Sequence, residues 1–192
     1  LGLDQYIYTL SKTPTFQQIR PNIANKDKFD SPYGTSVFAG ATDVLEGVEP
    51  ARNSRFYTES FQKANLSVEY NSFFKNNYMR YWIFDKKNPD FPIGTICFSN
   101  FLKGAFKSCM VGYKLDKNHT GNGYMTEALR FLLPELCHNY PLHRIEAYVM
   151  PDNTSSIRLL NNLGFVKEGY LHSFAKINDK WEDHLLYTYF NG

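Results

Sequence analysis

Residues 119–133 read HTGNGYMTEALRFLL, with two glycines standing two apart where an apolar-periodic run begins. Glycine is the poorest ordinary helix former, so Gly121 and Gly123 at a helix start need a reason. Met125, Ala128, Leu129, Leu132, Leu133 and Leu136 fall on one face of the helix that follows. A strand entering such a helix through TGNG leaves the first main-chain N–H groups unpaired. The helix dipole adds roughly half a positive charge there. With no side chain at either glycine, a phosphate could approach those amides closely. A plain tight turn would use the same two glycines, so the flanking sequence has to decide. No Gly-Lys-Ser/Thr sequel follows, which excludes a P-loop, and no acidic residue stands where a ribose clamp would follow a first strand.

Upstream, MRYWIFD (79–85), the turn signal KKNPDFP (86–92), IGTICFSNF (93–101) and KGAFKSCMVGYKLD (103–116) predict three strands joined as two hairpins. Downstream, HRIEAYVM (143–150) predicts a strand. PDNTSSIRLLNNLGF (151–165) predicts a short helix with Asn153 as N-cap and Gly164 as its stop. Two more strands, about 166–177 and 181–189, meet at the turn pair Asn178–Asp179. Pro134 should kink or shorten the glycine-led helix. In the N-terminal part, TPTFQQIRPN (13–22) suggests an extended strand, 25–34 a loop, 35–47 weak helix, and 55–74 a better helix. The implied class is α/β (α+β mixed), a mixed central sheet with a parallel crossover through the glycine-led helix.

The totals narrow the function. At 192 residues, 43% hydrophobic and 17% aromatic, the chain is globular and sized for one domain. The net charge of +2, without a lysine or arginine run, gives no case for nucleic acid. The apolar runs are too short to cross a bilayer, and LGLDQYIYTL does not read as a signal peptide. Cys97, Cys109 and Cys137 form no CxxC pair and suit a reducing cytoplasm. Five histidines without ligand spacing argue against a metal.

GYKLDKNHTGNGYMTEAL (112–129) followed by HRIEAYVMPDNTSSIRLLNNLGFVKEG (143–169) resembles the GCN5-related N-acetyltransferase (GNAT) family, in its RimJ/RimL-type ribosomal-protein-alanine branch. FSN (98–100), INDKWEDH (177–184) and EPARNSRFYTESFQ (49–62) add to the likeness. It covers about 42–190 of what is expected to be a single acetyltransferase domain over 1–192, and residues 1–41 match poorly. The resemblance implies a GNAT-like fold whose parallel strand pair splays apart to admit acetyl-CoA. The diphosphate would rest on Thr120, Gly121, Asn122, Gly123, Tyr124 and Met125. Thr120 stands where the family pattern has Gln or Arg, and Met125 where it has a small residue. The pantetheine arm would pair with main chain near Leu115 and touch Asn153.

The resemblance also implies acetyl transfer to an amine, with a cytoplasmic protein N-terminus as acceptor, possibly ribosomal. Neither nucleic acid, membrane nor metal is implied, and pairing into a homodimer stays open. Ser156 would be the general acid at the thioester sulfur, unless it and Asn153 merely cap the helix. A tyrosine used by many relatives is replaced by Leu160. Positions where relatives place a basic glutamate hold Met110 and Tyr148, so the base is unknown; Glu49, Glu146, Asp183 and His184 remain candidates. Acetylation of a small amine such as a polyamine or aminoglycoside is the alternative, and a non-catalytic acyl-CoA-binding module a further one. Residues 42–74, with Glu49 and Arg52, should wall the acceptor site.

Overall fold

In the computed structural model the described residues are 78–85 and 87–192, with main chain alone at 88–91, the main chain of two strands at 5–10 and 15–19, and isolated positions from 55 to 68. Ser60, Phe61, Ala64 and Val68 are helical, inside the helix expected over 55–74. The remainder of that span, the weak helix at 35–47, Glu49 and Arg52 lie outside the described residues.

Eight strands form one mixed sheet in the order β2-β1-β3-β4-β5-β6-β8-β7. They are β1 (Gln5–Leu10), β2 (Thr15–Ile19), β3 (Tyr78–Asp85), β4 (Asn88–Leu102), β5 (Ser108–Leu115), β6 (Arg144–Val149), β7 (Val166–Ile177) and β8 (Lys180–Phe190). The extended segment expected around 13–22 is β2. The two expected hairpins are β3–β4 and β4–β5, both antiparallel. The turn expected over 86–92 is shorter than its composition suggests. Phe84 already faces Pro92 and Asp85 faces Asn88, and register shifts on either side of Phe84 absorb the extra residues as a bulge.

Helix α1 (Tyr124–Asn139) makes the crossover from β5 to the parallel strand β6. Its sixteen residues run through Pro134, so the expected shortening does not occur. A proline inside a helix loses its N–H bond and crowds the carbonyl four residues back, at about 3 kcal/mol, while Leu132, Leu133, Leu136 and Cys137 on both sides of it stay buried. Each buried leucine of that stripe contributes about 1.5–3 kcal/mol over an exposed one. Leu129, Leu132, Leu133 and Leu136 together outweigh the roughly 3 kcal/mol that the proline costs. On β6 the alternate residues Ile145, Ala147 and Val149 join this core, so Arg144, Glu146 and Tyr148 occupy the other face.

Helix α2 (Thr154–Asn162) is bounded as its sequence predicts. Asn153 Oδ1 accepts the Ser156 N–H at 3.1 Å. At the other end Gly164, at φ +82°, lets Phe165 N–H reach Leu160 C=O (3.0 Å) and its own N–H reach Asn161 C=O (3.1 Å). That is a Schellman stop, with Leu160 and Phe165 both buried beneath it. The β7–β8 hairpin turns on Asn178 and Asp179, at φ +47° and +65°, as a type I′ turn requires.

Candidate active site

β5 and β6 pair in parallel only at Ser108–Arg144, Cys109–Ile145 and Met110–Glu146. Beyond Met110 the two strands part, and from Val111 to Leu115 β5 keeps its β4 partner but faces a gap on the other side. The right-handed twist of a sheet favours such divergence once pairing stops. α1 starts at the far end of that gap, and α2 starts just past the end of β6.

The glycine loop closes one end. Gly121 and Gly123 take φ +77° and +84°, left-handed values natural to glycine. Gly123 is the N-cap of α1 and supplies no side-chain cap. Among the described residues, the main-chain N–H groups from Gly121 to Thr126 have no protein acceptor; the first helical bond is Glu127 N–H to Gly123 C=O at 2.9 Å. A Cβ at either glycine would meet nothing within 4 Å, so the surface at both glycines is open. This fits a diphosphate, which needs several convergent donors and no side chain in the way.

The exposed polar side chains of the loop bond its own carbonyls. Thr120 Oγ1 donates to Lys117 C=O (2.8 Å), and Asn122 Nδ2 to Thr120 C=O (3.3 Å). Met125 is buried in the core, which accounts for a large residue where the family pattern has a small one. Tyr124 donates its hydroxyl to Asp85 Oδ2 (3.1 Å), tying α1 to β3. The Lys87 N–H, then Tyr124, hold the Asp85 carboxyl below its ordinary range. Leu115, at the other rim, pairs with Gly94 of β4.

At the start of α2, Asn153 Oδ1 is occupied by the Ser156 N–H and the Ser155 hydroxyl (2.9 Å), so its capping role is real. Ser156 is half-buried, and its side chain lies beside the Tyr113 hydroxyl on β5. Burial pushes Tyr113 up to about 12, with Ser156 pulling slightly the other way. Two hydroxyls therefore adjoin on the face of β5 that carries Cys109 and Val111. Leu160 is fully buried and offers no proton.

On the opposite face a cleft of about 460 Å³ opens where the strands part, lined in part by Asn100, Leu102, Met110, Glu146 and Tyr148. Among its described lining residues Glu146 alone has a carboxyl side chain. Tyr148 donates its hydroxyl to Glu146 Oε2 (2.7 Å), while Arg144 Nε lies 2.8 Å from Oε1. Of the other base candidates, Asp183 accepts the Ser173 N–H and the Tyr170 hydroxyl, both at 2.7 Å. His184 is buried with Nδ1 against Glu182 C=O (3.1 Å). Both hold the β7–β8 hairpin and neither lines the cleft. Sequence alone placed Glu146 on one strand face with Tyr148; their bond and the Arg144 contact depend on side-chain conformation that the sequence does not show.

Residues 41–166 match the family model described as an acetyltransferase (GNAT) domain. The chain belongs to the GNAT acetyltransferase family. It is 37% identical over 149 residues to a probable N-acetyltransferase, YjcK, of Bacillus subtilis, covering 78% of this chain and 82% of that one. It is 36% identical over 150 residues to the ribosomal protein uS5-alanine N-acetyltransferase of Escherichia coli, covering 78% and 76%. The ribosomal-protein-S5-alanine acetyltransferase of Vibrio fischeri superposes with a TM-score of 0.78 at 32% identity, over 84% and 88% of the two chains. Mycobacterium smegmatis RimJ, solved with CoA-disulfide, gives 0.73 at 27% identity over 82% and 75%. This GNAT chain is an N-acetyltransferase enzyme. Among its described residues no helix is long and apolar enough to span a membrane.

Proposed function

We propose that this GNAT enzyme transfers the acetyl group of acetyl-CoA to the N-terminal α-amine of a protein, a ribosomal protein being the acceptor its relatives suggest. Residues 1–192 act as one domain in this reading, working in the cytoplasm. The observation that carries it is a cleft where β5 and β6 part, in which Glu146 is the one carboxylate among the described lining residues. One carboxylate matches one ammonium. A polyamine carries several charges and would call for several acids.

The free N–H groups of 121–126 receive the diphosphate, with the helix dipole behind them. The unpaired edge of β5 up to Leu115 takes the pantetheine amides as an added strand would. Asn153 Nδ2, its oxygen being spent on the cap, donates to the same arm. Ser156 gives its proton to the sulfur as the C–S bond breaks. An α-amine of pKa about 7.7–8.0 is roughly a tenth neutral at pH 7. Modest base assistance therefore suffices for it, whereas a lysine at about 10.4 would need far more.

The test is acetyl transfer to three acceptors: a peptide with a free alanine N-terminus, the same peptide Nα-blocked but bearing lysine, and spermidine. Transfer to the first alone is expected. Preferred transfer to spermidine would replace this reading with the small-amine alternative.

A further inference from the structure

We propose that Tyr148 and Glu146 work as a proton-accepting pair for the acceptor amine, Tyr148 touching the nitrogen and Glu146 holding the proton. This inference rests on the acetyltransferase reading above and extends it to the base that sequence left unassigned.

The pair is held in a fixed orientation. Glu146 has one oxygen on the Tyr148 hydroxyl and the other facing Arg144. Arg144 is itself anchored, its Nη2 2.5 Å from Glu168 Oε2, and Glu168 also accepts from the buried Thr188 hydroxyl. The Tyr148 ring is stacked on Phe174, with centroids 4.7 Å apart and planes at 12°. Phe174 comes from β7, two strands from β6 in the sheet, and reaches over β8 at a bulge where Ser173 takes φ +48°. His184 backs Phe174, with ring centroids 5.3 Å apart. A bulge, a stack and an anchored arginine thus converge on the direction of one phenolic oxygen.

Charge favours an ammonium there. Arg144 carries one positive charge against the two negative charges of Glu146 and Glu168, leaving a surplus of one negative. From β5, Glu146 pairs with the uncharged Met110. From β8, Glu146 pairs with the uncharged Thr188. Position agrees as well: Met110–Glu146 is the last pair before the strands part, and Ser156 with Tyr113 lies on the opposite face. The amine approaches from one face of the gap, and the thiol is protonated on the other.

The protons balance as follows. The bound ammonium gives one proton to the Tyr148 oxygen while the Tyr148 hydroxyl proton moves to Glu146 Oε2. The nitrogen lone pair then forms the N–C bond to the thioester carbonyl. As the C–S bond breaks, sulfur takes the Ser156 proton, and the second nitrogen proton restores Ser156. Glu146 returns its proton to solvent, giving amide, thiol and one proton in all.

The test compares wild type with Tyr148→Phe and Glu146→Gln, measuring acetyl-CoA affinity and the pH profile of kcat/KM for an alanine-starting peptide. Affinity should be unchanged in both, which checks the fold. Wild-type kcat/KM should be nearly level between about pH 6.5 and 8. Each variant should climb about tenfold per pH unit to the amine's own pKa of about 7.7–8.0, being down about fifteen- to thirtyfold at pH 6.5 and recovering above pH 8. Wild-type profiles in both variants, or an equal loss at every pH, would overturn the relay while leaving the acetyltransferase reading in place. Failure of wild type itself to acetylate any amine would overturn both.

Discussion

Gly94 and Leu115 face each other across β4 and β5 so closely that a Cβ on residue 94 would stand 2.9 Å from Leu115 Cδ1 and 2.6 Å from the Lys114 carbonyl oxygen. The backbone oxygen cannot step aside as a side chain would, so glycine sets the position of the β5 rim. Gly94→Ala should cost about 1–3 kcal/mol in chemical denaturation, as overpacking does. It should also weaken acetyl-CoA binding in calorimetry, because the displaced edge is the one offered to pantetheine. A variant as stable as wild type, with unchanged affinity, would remove Leu115 from the site.

Asn153 and Ser156 share one hydrogen bond yet should fail differently. Asn153→Ala removes the N-cap of α2 and should cost about 1 kcal/mol of stability. Ser156→Ala leaves the capping N–H in place, so stability should hold while kcat falls by about a hundredfold. KM for acetyl-CoA should stay level. Steady-state kinetics beside urea titrations read both effects, and an unchanged kcat in Ser156→Ala would end its role as acid.

The same residues show how far sequence reached. The leucine stripe of α1, the Asn153 cap, the Gly164 stop and the Asn178–Asp179 turn are local patterns, and each was legible because its cause lies within a few residues. Pro134 does not shorten α1, because the buried face on both sides of it outweighs the local cost of one proline. The Arg144–Glu168 contact spans 24 residues, and Phe174 reaches Tyr148 only through a bulge over an intervening strand. Nothing local announces such contacts. The bare main-chain loop was therefore readable, and the arrangement of Glu146, Tyr148 and Arg144 was not.

Alkaline pH should destabilise the fold through groups that burial keeps protonated. Cys109 is raised from 9.0, and Tyr113 and Tyr148 from 10.0, all to about 12 and chiefly by burial. In the unfolded chain these groups release protons first, so folding stability is complete below about pH 9 and declines as pH rises toward 12. Urea midpoints at pH 8, 9.5 and 11 should fall in that order. The fall should be shallower in Cys109→Ala, whose starting stability is lower. A midpoint level across that range would contradict the burial of these groups.

The central claim is that the open main-chain N–H groups of residues 121–126 grip the diphosphate of acetyl-CoA. The most direct measurement is the amide chemical shift of those residues during separate titrations with CoA and with pantetheine, which lacks the diphosphate. The account predicts saturable shifts at Gly121, Asn122, Gly123 and the first turn of α1 with CoA, and none there with pantetheine. CoA binding that leaves those amides unmoved would contradict it.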